Sequence, residues 1–113
     1  MACKLSLEHW GLEYFDLYLI HFPISLKYVA PEVRYPPEWK FDARMEFDLT
    51  VTYEQTWHAM EGLVDSNLTK NIGACNIGCD KIMDVLKYAK IKPAILQVEM
   101  HPFLTQPNLL RFV

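Results

Sequence analysis

Three apolar runs punctuate the chain, with helically spaced stretches between them. Leu17-Tyr18-Leu19-Ile20-His21 neither alternates nor carries charge, the pattern of a strand covered on both faces, as in a parallel sheet flanked by helices. Pro23 stops that ladder, because it has no N–H to donate. Lys70 to Ile77 reads as a second short strand, and its small residues Gly73 and Ala74 suit crowded packing or close approach by a ligand. Ala94 to Met100 gives a third, closed by His101-Pro102. Between the runs the period changes. Thr52 with Gln55 forms a capping box, followed by Trp57, Met60, Leu63, Val64 and Leu68 at three- and four-residue intervals. Asp80 can cap a further helix whose face is Ile82, Val85, Leu86 and Ala89, ending before Pro93. Leu5, Leu7, Trp10 and Leu12, with Gly11 able to take the left-handed conformation, read as a helix tail. Pro107 suits the first position of a helix that Asn108 to Val113 barely start.

The order is βαβαβ, which implies parallel strands joined by right-handed crossovers. No internal repeat or linker divides residues 1–113. Three strands with ragged helices at both ends look like a slice of a larger α/β sheet or barrel, since a full (β/α)8 barrel takes roughly 250 residues. The segment from Ile24 to Val51 interrupts the alternation. It holds Pro31, Pro36 and Pro37 with Tyr28, Tyr35, Trp39, Phe41 and Phe47. Connections of this length are usually functional or disordered, and the aromatics favour function.

Composition narrows the partners. At 51% hydrophobic residues the chain is globular, and 11 basic against 14 acidic side chains offer no surface for nucleic acid. No apolar run reaches the roughly 20 residues of a membrane span, and the amino end lacks the apolar core of a signal peptide. Three cysteines without an export signal point to reduced thiols in the cytoplasm.

The candidate chemistry sits where the strands end: His21 on the first, Asn76 on the second, Gln97 and Glu99 on the third. Polar side chains in covered strands need hydrogen-bond partners, and a ligand at the carboxyl edge supplies them. Taken singly, each has a structural explanation: His21 as a satisfied core histidine, Asn76 as a helix cap, Gln97 as a partner of neighbouring backbone. One shared site accounts for all of them. Gly73 and Gly78 have the spacing of a phosphate loop, but Cys79-Asp80 stands where that motif needs Lys and Ser or Thr. Cys75 and Cys79, with His101 and His21 as further candidate ligands, lack the spacing of a zinc site, and no metal is expected. His9 and His58 read as solvated positions on helices.

Three stretches together, Leu12 to Pro23, Trp57 through Lys70 to Asn76, and Lys92 to Pro102, resemble the middle of an aldo-keto reductase, in the right order and over nearly the whole chain. Lys27-Tyr28-Val29 followed by Tyr35-Pro36-Pro37 is most similar to the xylose and aldose reductase branch. The resemblance implies the fourth to sixth strands of a (β/α)8 TIM barrel that reduces aldehydes and ketones with NADPH or NADH. It implies that His21 hydrogen-bonds the substrate carbonyl oxygen, which gains negative charge in the transition state. Phe22 stands where relatives place an aromatic wall of the substrate pocket. Cys75, Asn76 and Gln97 match the three side chains that hold the nicotinamide carboxamide, with Cys75 replacing the commoner serine and donating more weakly. Ala74 and Ile77 also depart from the usual residues there. The family's proton donor, a tyrosine tuned by a lysine and an aspartate, lies on earlier strands and has no match here. The residues holding the cofactor phosphate lie beyond the sixth strand.

Two functional expectations follow: part of an NAD(P)H-dependent carbonyl reductase, or a truncated product that no longer catalyses and at most binds a partner through open strand edges. Small carbonyl compounds are the expected ligands, with neither nucleic acid nor membrane as a partner and the oligomeric state left open.

Overall fold

Helical spacing and uninterrupted apolar runs resolve into helices and strands in the expected order. The computed structural model describes residues 1–30, 32–33 and 46–113. The elements are α1 (Ala2–Trp10), β1 (Phe15–Ile20), α2 (Tyr53–Asp65), β2 (Thr69–Cys75), α3 (Cys79–Tyr88), β3 (Leu96–Gln97) and α4 (Pro107–Phe112). The three strands form one sheet in the order β1-β2-β3, with both pairings parallel. Leu19 pairs with Gly73, Ile20 with Ala74, Ala74 with Leu96 and Cys75 with Gln97. This register puts all three carboxyl ends on one rim.

The helix boundaries have local causes. Thr52 Oγ1 accepts the Gln55 amide at 3.2 Å while Gln55 Oε1 accepts the Thr52 amide at 2.9 Å, the capping box expected for α2. Gly11, at φ 64°, closes α1, and the following Leu12 amide donates to the Leu7 carbonyl. Cys3 and Leu7 are the buried side chains of α1, while Trp10 and Leu12 are exposed. Pro107 opens α4.

Four expectations need correction. Asp80 does not cap α3. The extended Gly78 holds that position without a side-chain bond, so the helix starts two residues earlier and Asp80 falls in its first turn, where a carboxylate complements the helix dipole. Leu86, assigned to the buried face of α3, is exposed, whereas Ile82 and Val85 are buried. β1 is not covered on both faces: none of its residues is fully buried, because the core lies on one side only. β3 is shorter than Ala94 to Met100. Its bonds to β2 run from Ala94 N–H on the Ile72 carbonyl to the Gln97 carbonyl accepting Asn76 N–H, and β2 ends there.

The core joins Trp57 and Met60 of α2, Ile82 and Val85 of α3, Ile72 and Ala74 of β2, Ile77 and Leu109. Tyr18 and Ile20 pack against it, so alternation sends Leu17 and Leu19 to the opposite sheet face. Within the long connection, Leu26 and Phe47 form an antiparallel bridge, Lys27 N–H donates to the Glu46 carbonyl and Asp48 N–H to the Ser25 carbonyl. Its two stems are therefore tied together near the rim. Pro31, Tyr35, Pro36, Pro37, Trp39 and Phe41 lie outside the described residues. Among the described residues, no helix is long and apolar enough to cross a membrane.

Candidate functional site

The rim takes its form from where each strand stops. β1 ends at Ile20, so His21 is the first residue beyond the ladder, and it is exposed. Its ring lies 4.4 Å from that of Phe22, centroid to centroid, with a tilt of 38°. β2 ends at Cys75, and Asn76 turns the chain with φ 56°. Asparagine tolerates that left-handed region better than most side chains. From there Asn76 Nδ2 donates to the His21 carbonyl at 2.8 Å, and the Asn76 N–H donates to the Gln97 carbonyl at 3.0 Å. His21, Asn76 and Gln97 are thus linked across three neighbouring strands through the main-chain carbonyls of His21 and Gln97.

Cys75 is placed differently. Its side chain is 3% exposed, burial pushes its thiol up, and the neutral S–H donates to Gln97 Oε1 at 3.7 Å. It lies behind Gln97 rather than open beside Asn76, whereas Asn76 and Gln97 are both exposed. Register puts Cys75 and Gln97 on the sheet face of Gly73 and Leu19. A carboxamide ligand needs both an acceptor and a donor, and the two exposed amides offer both. The donor set at this rim therefore fits a nicotinamide carboxamide, with Cys75 supporting Gln97 from beneath.

Glu99 stands apart from this group and pairs with His101, Oε1 to Nε2 at 3.1 Å. The His101 Nδ1 accepts the Phe103 amide at 3.2 Å, closing the turn after β3. Among the described residues, no group of three or more His, Cys, Asp or Glu could hold a metal ion.

Sequence reasoning missed a polar centre on the helix side. His58 is not simply solvated, because its Nδ1 lies 2.8 Å from Glu61 Oε2. Glu61 is 6% exposed and its Oε1 accepts the amides of Lys90 and Ile91 at 2.7 and 3.0 Å. Burial pushes its carboxyl up, but the bonds from His58, Ile91 and Lys90 outweigh this and hold it below the ordinary value. Trp57 Nε1 donates to the Ile91 carbonyl at 3.1 Å. The available signal was a carboxylate four residues after Trp57, on the buried face of α2.

A three-stranded parallel βαβαβ unit whose polar residues gather at the carboxyl rim is shared by open α/β sheets and closed α/β barrels. The sequence matches the Aldo/keto reductase family over residues 1–113. The chain belongs to that family. It is 52% identical over 111 residues to the NAD(P)H-dependent D-xylose reductase of Aspergillus niger, covering 97% of this chain and 34% of that protein. The aldose reductase of Schistosoma japonicum superposes with a TM-score of 0.84 at 37% identity, covering 98% of this chain and 35% of that one. An aldo-keto reductase of Bombyx mori in complex with NADP gives 0.80 at 32% identity, over 98% of this chain and 31% of that one. The chain spans about a third of the length of these relatives, and its fold is that of a βαβαβ segment of a TIM barrel.

Proposed function

We propose that residues 1–113 supply the carbonyl-orienting histidine and part of the nicotinamide-holding rim of an NAD(P)H-dependent reductase. Its substrates are aldehydes and ketones, with aldose- or xylose-like sugars foremost, and its products are alcohols. The observation that carries this reading is the joining of His21, Asn76 and Gln97 at three adjacent carboxyl ends. The D-xylose reductase named above supports the substrate class, and the NADP complex supports the cofactor.

NADPH or NADH, when bound, supplies the hydride. The residues of this chain orient the reactants. A ring N–H of His21 donates to the substrate oxygen as negative charge develops on it, and Phe22 beside it forms an aromatic wall. Asn76 and Gln97 hold the carboxamide, and Cys75 braces Gln97. A cytoplasmic location belongs to the same reading, supported by three free thiols, Cys3, Cys75 and Cys79.

The test replaces the matching third of the Aspergillus niger xylose reductase with residues 1–113. This chimera is expected to oxidise NADPH with D-xylose, and His21→Ala to reduce kcat by roughly 10²- to 10³-fold, the usual loss on removing such a donor. A folded chimera that binds NADPH but shows no His21-dependent turnover would overturn the proposal. Residues 1–113 alone should leave NADPH absorbance flat, since general acid catalysis is worth roughly 10²- to 10⁴-fold and none of these tyrosines matches the family's acid motif.

A further inference from the structure

Asn76 makes two hydrogen bonds in opposite directions, and only one of them comes from its backbone. The N–H bond to the Gln97 carbonyl continues the pairing with β3. The Nδ2 bond to the His21 carbonyl, 2.8 Å, does the corresponding work toward β1, where the ladder has stopped at Ile20 and Ala74. Two residues after His21 stands Pro23, which has no N–H to give to a neighbouring strand. The side chain of Asn76 therefore extends the contact between β1 and β2 by the one residue that carries the imidazole. The left-handed turn at φ 56° brings the carboxamide within reach.

We propose that Asn76 is a positioning residue for His21: its carboxamide holds the His21 main chain at the rim and so fixes where the imidazole stands relative to Gln97. The functional consequence rests on the reading of His21 as the carbonyl-orienting group. The clasp itself does not. Asn76 then has two roles, a surface for the carboxamide ligand and an anchor for the residue that faces the substrate.

The test uses the full chain, at a concentration low enough for it to sediment as a monomer, and the ring Cε1–H resonances of its four histidines, His9, His21, His58 and His101. Asn76→Gly keeps the left-handed turn and removes the carboxamide, and Asn76→Asp keeps the shape but sets an oxygen against the His21 carbonyl. Both variants are expected to shift the His21 resonance while those of His58 and His101 stay in place. Both are also expected to speed amide exchange at His21 and Phe22 by roughly two- to tenfold, the equivalent of one ordinary hydrogen bond. An Asn76→Gly chain with the parent His21 resonance and parent exchange overturns the proposal. Should both variants fail to fold, the parent chain decides: a through-hydrogen-bond correlation from Asn76 Nδ2 to the His21 carbonyl carbon is expected, and its absence overturns the clasp. No cofactor or substrate enters these measurements, so a failed chimera and a failed clasp remain separate results.

Discussion

Gly73 sits where the sheet leaves no room for a side chain. A Cβ there would lie 2.6 Å from the Ile95 carbonyl oxygen and 2.7 Å from Leu19 Cδ2. The leucine methyl can rotate away, but the Ile95 carbonyl accepts the Ala74 amide at 3.1 Å and cannot move without loosening β2 from β3. Gly73→Ala is expected to cost roughly 1–3 kcal/mol, the range for overpacking, read as a lower urea midpoint; an unchanged midpoint would show that the strands part freely. The sequence marked Gly73 as crowded or ligand-facing, and the atoms that crowd it belong to the sheet. Tyr53 presents the opposite case. Its hydroxyl is buried without a hydrogen-bond partner among the described residues, and burial, with smaller contributions from Tyr88 and Cys75, pushes its pKa up to about 12. Removing an unsatisfied polar group costs nothing in hydrogen bonding. Tyr53→Phe should therefore melt at or above the parent temperature, and a fall of several degrees would reveal a partner for the hydroxyl. No pattern in the sequence separates this tyrosine from one whose hydroxyl reaches water.

At the scale of elements, α2 is both the most legible part of the chain and the site of its largest surprise. Its start was readable because Thr52 and Gln55 bond each other across three residues, and its buried face because Trp57 and Met60 repeat at helical spacing. The role of Glu61 was not readable, since the amides it accepts are 29 and 30 residues away and become neighbours only when α3 folds back on α2. β3 was overextended for a related reason: apolar content marks a strand, but its length depends on where β2 stops, at Cys75. The Glu61 clamp makes an acid-sensitive joint. Its folded carboxyl titrates below the ordinary 4.5, so the unfolded chain takes up the proton more readily. The stability it adds is complete above the ordinary value and is lost as pH falls through the lowered folded one. Glu61→Gln should lower stability at pH 7 and flatten this part of the acid dependence. If urea midpoints of parent and variant fell in parallel from pH 6 to pH 3, the clamp would not be ionic.

Across the whole molecule, the spatial order of the three strands and their shared rim followed from the βαβαβ alternation, because consecutive right-handed crossovers join adjacent strands. What alternation could not show is that, among the described residues, α2 and α3 pack on one sheet face and leave the other open beside α4. On the other face Leu17 and Leu19 meet Ile95, Met100, Leu110 and Val113 around an open concavity, and the last four are 48%, 55%, 55% and 70% exposed. Among the described residues β1 and β3 each have one strand neighbour, so each leaves a row of backbone groups able to pair with another chain. A closed barrel removes such edges and fills such a face, and a net charge of −3 offers little repulsion to keep bare copies apart. A polypeptide of residues 1–113 is therefore expected to associate with itself, sedimenting faster as concentration rises, and to melt at a concentration-dependent temperature. Lys substituted for Leu19, at the centre of the open face, should reduce that association without touching the core under α2 and α3. A parent chain that stays monomeric at all concentrations, with a sharp melt and slow amide exchange along β1, would show that the open face and edges cost less than their exposure implies.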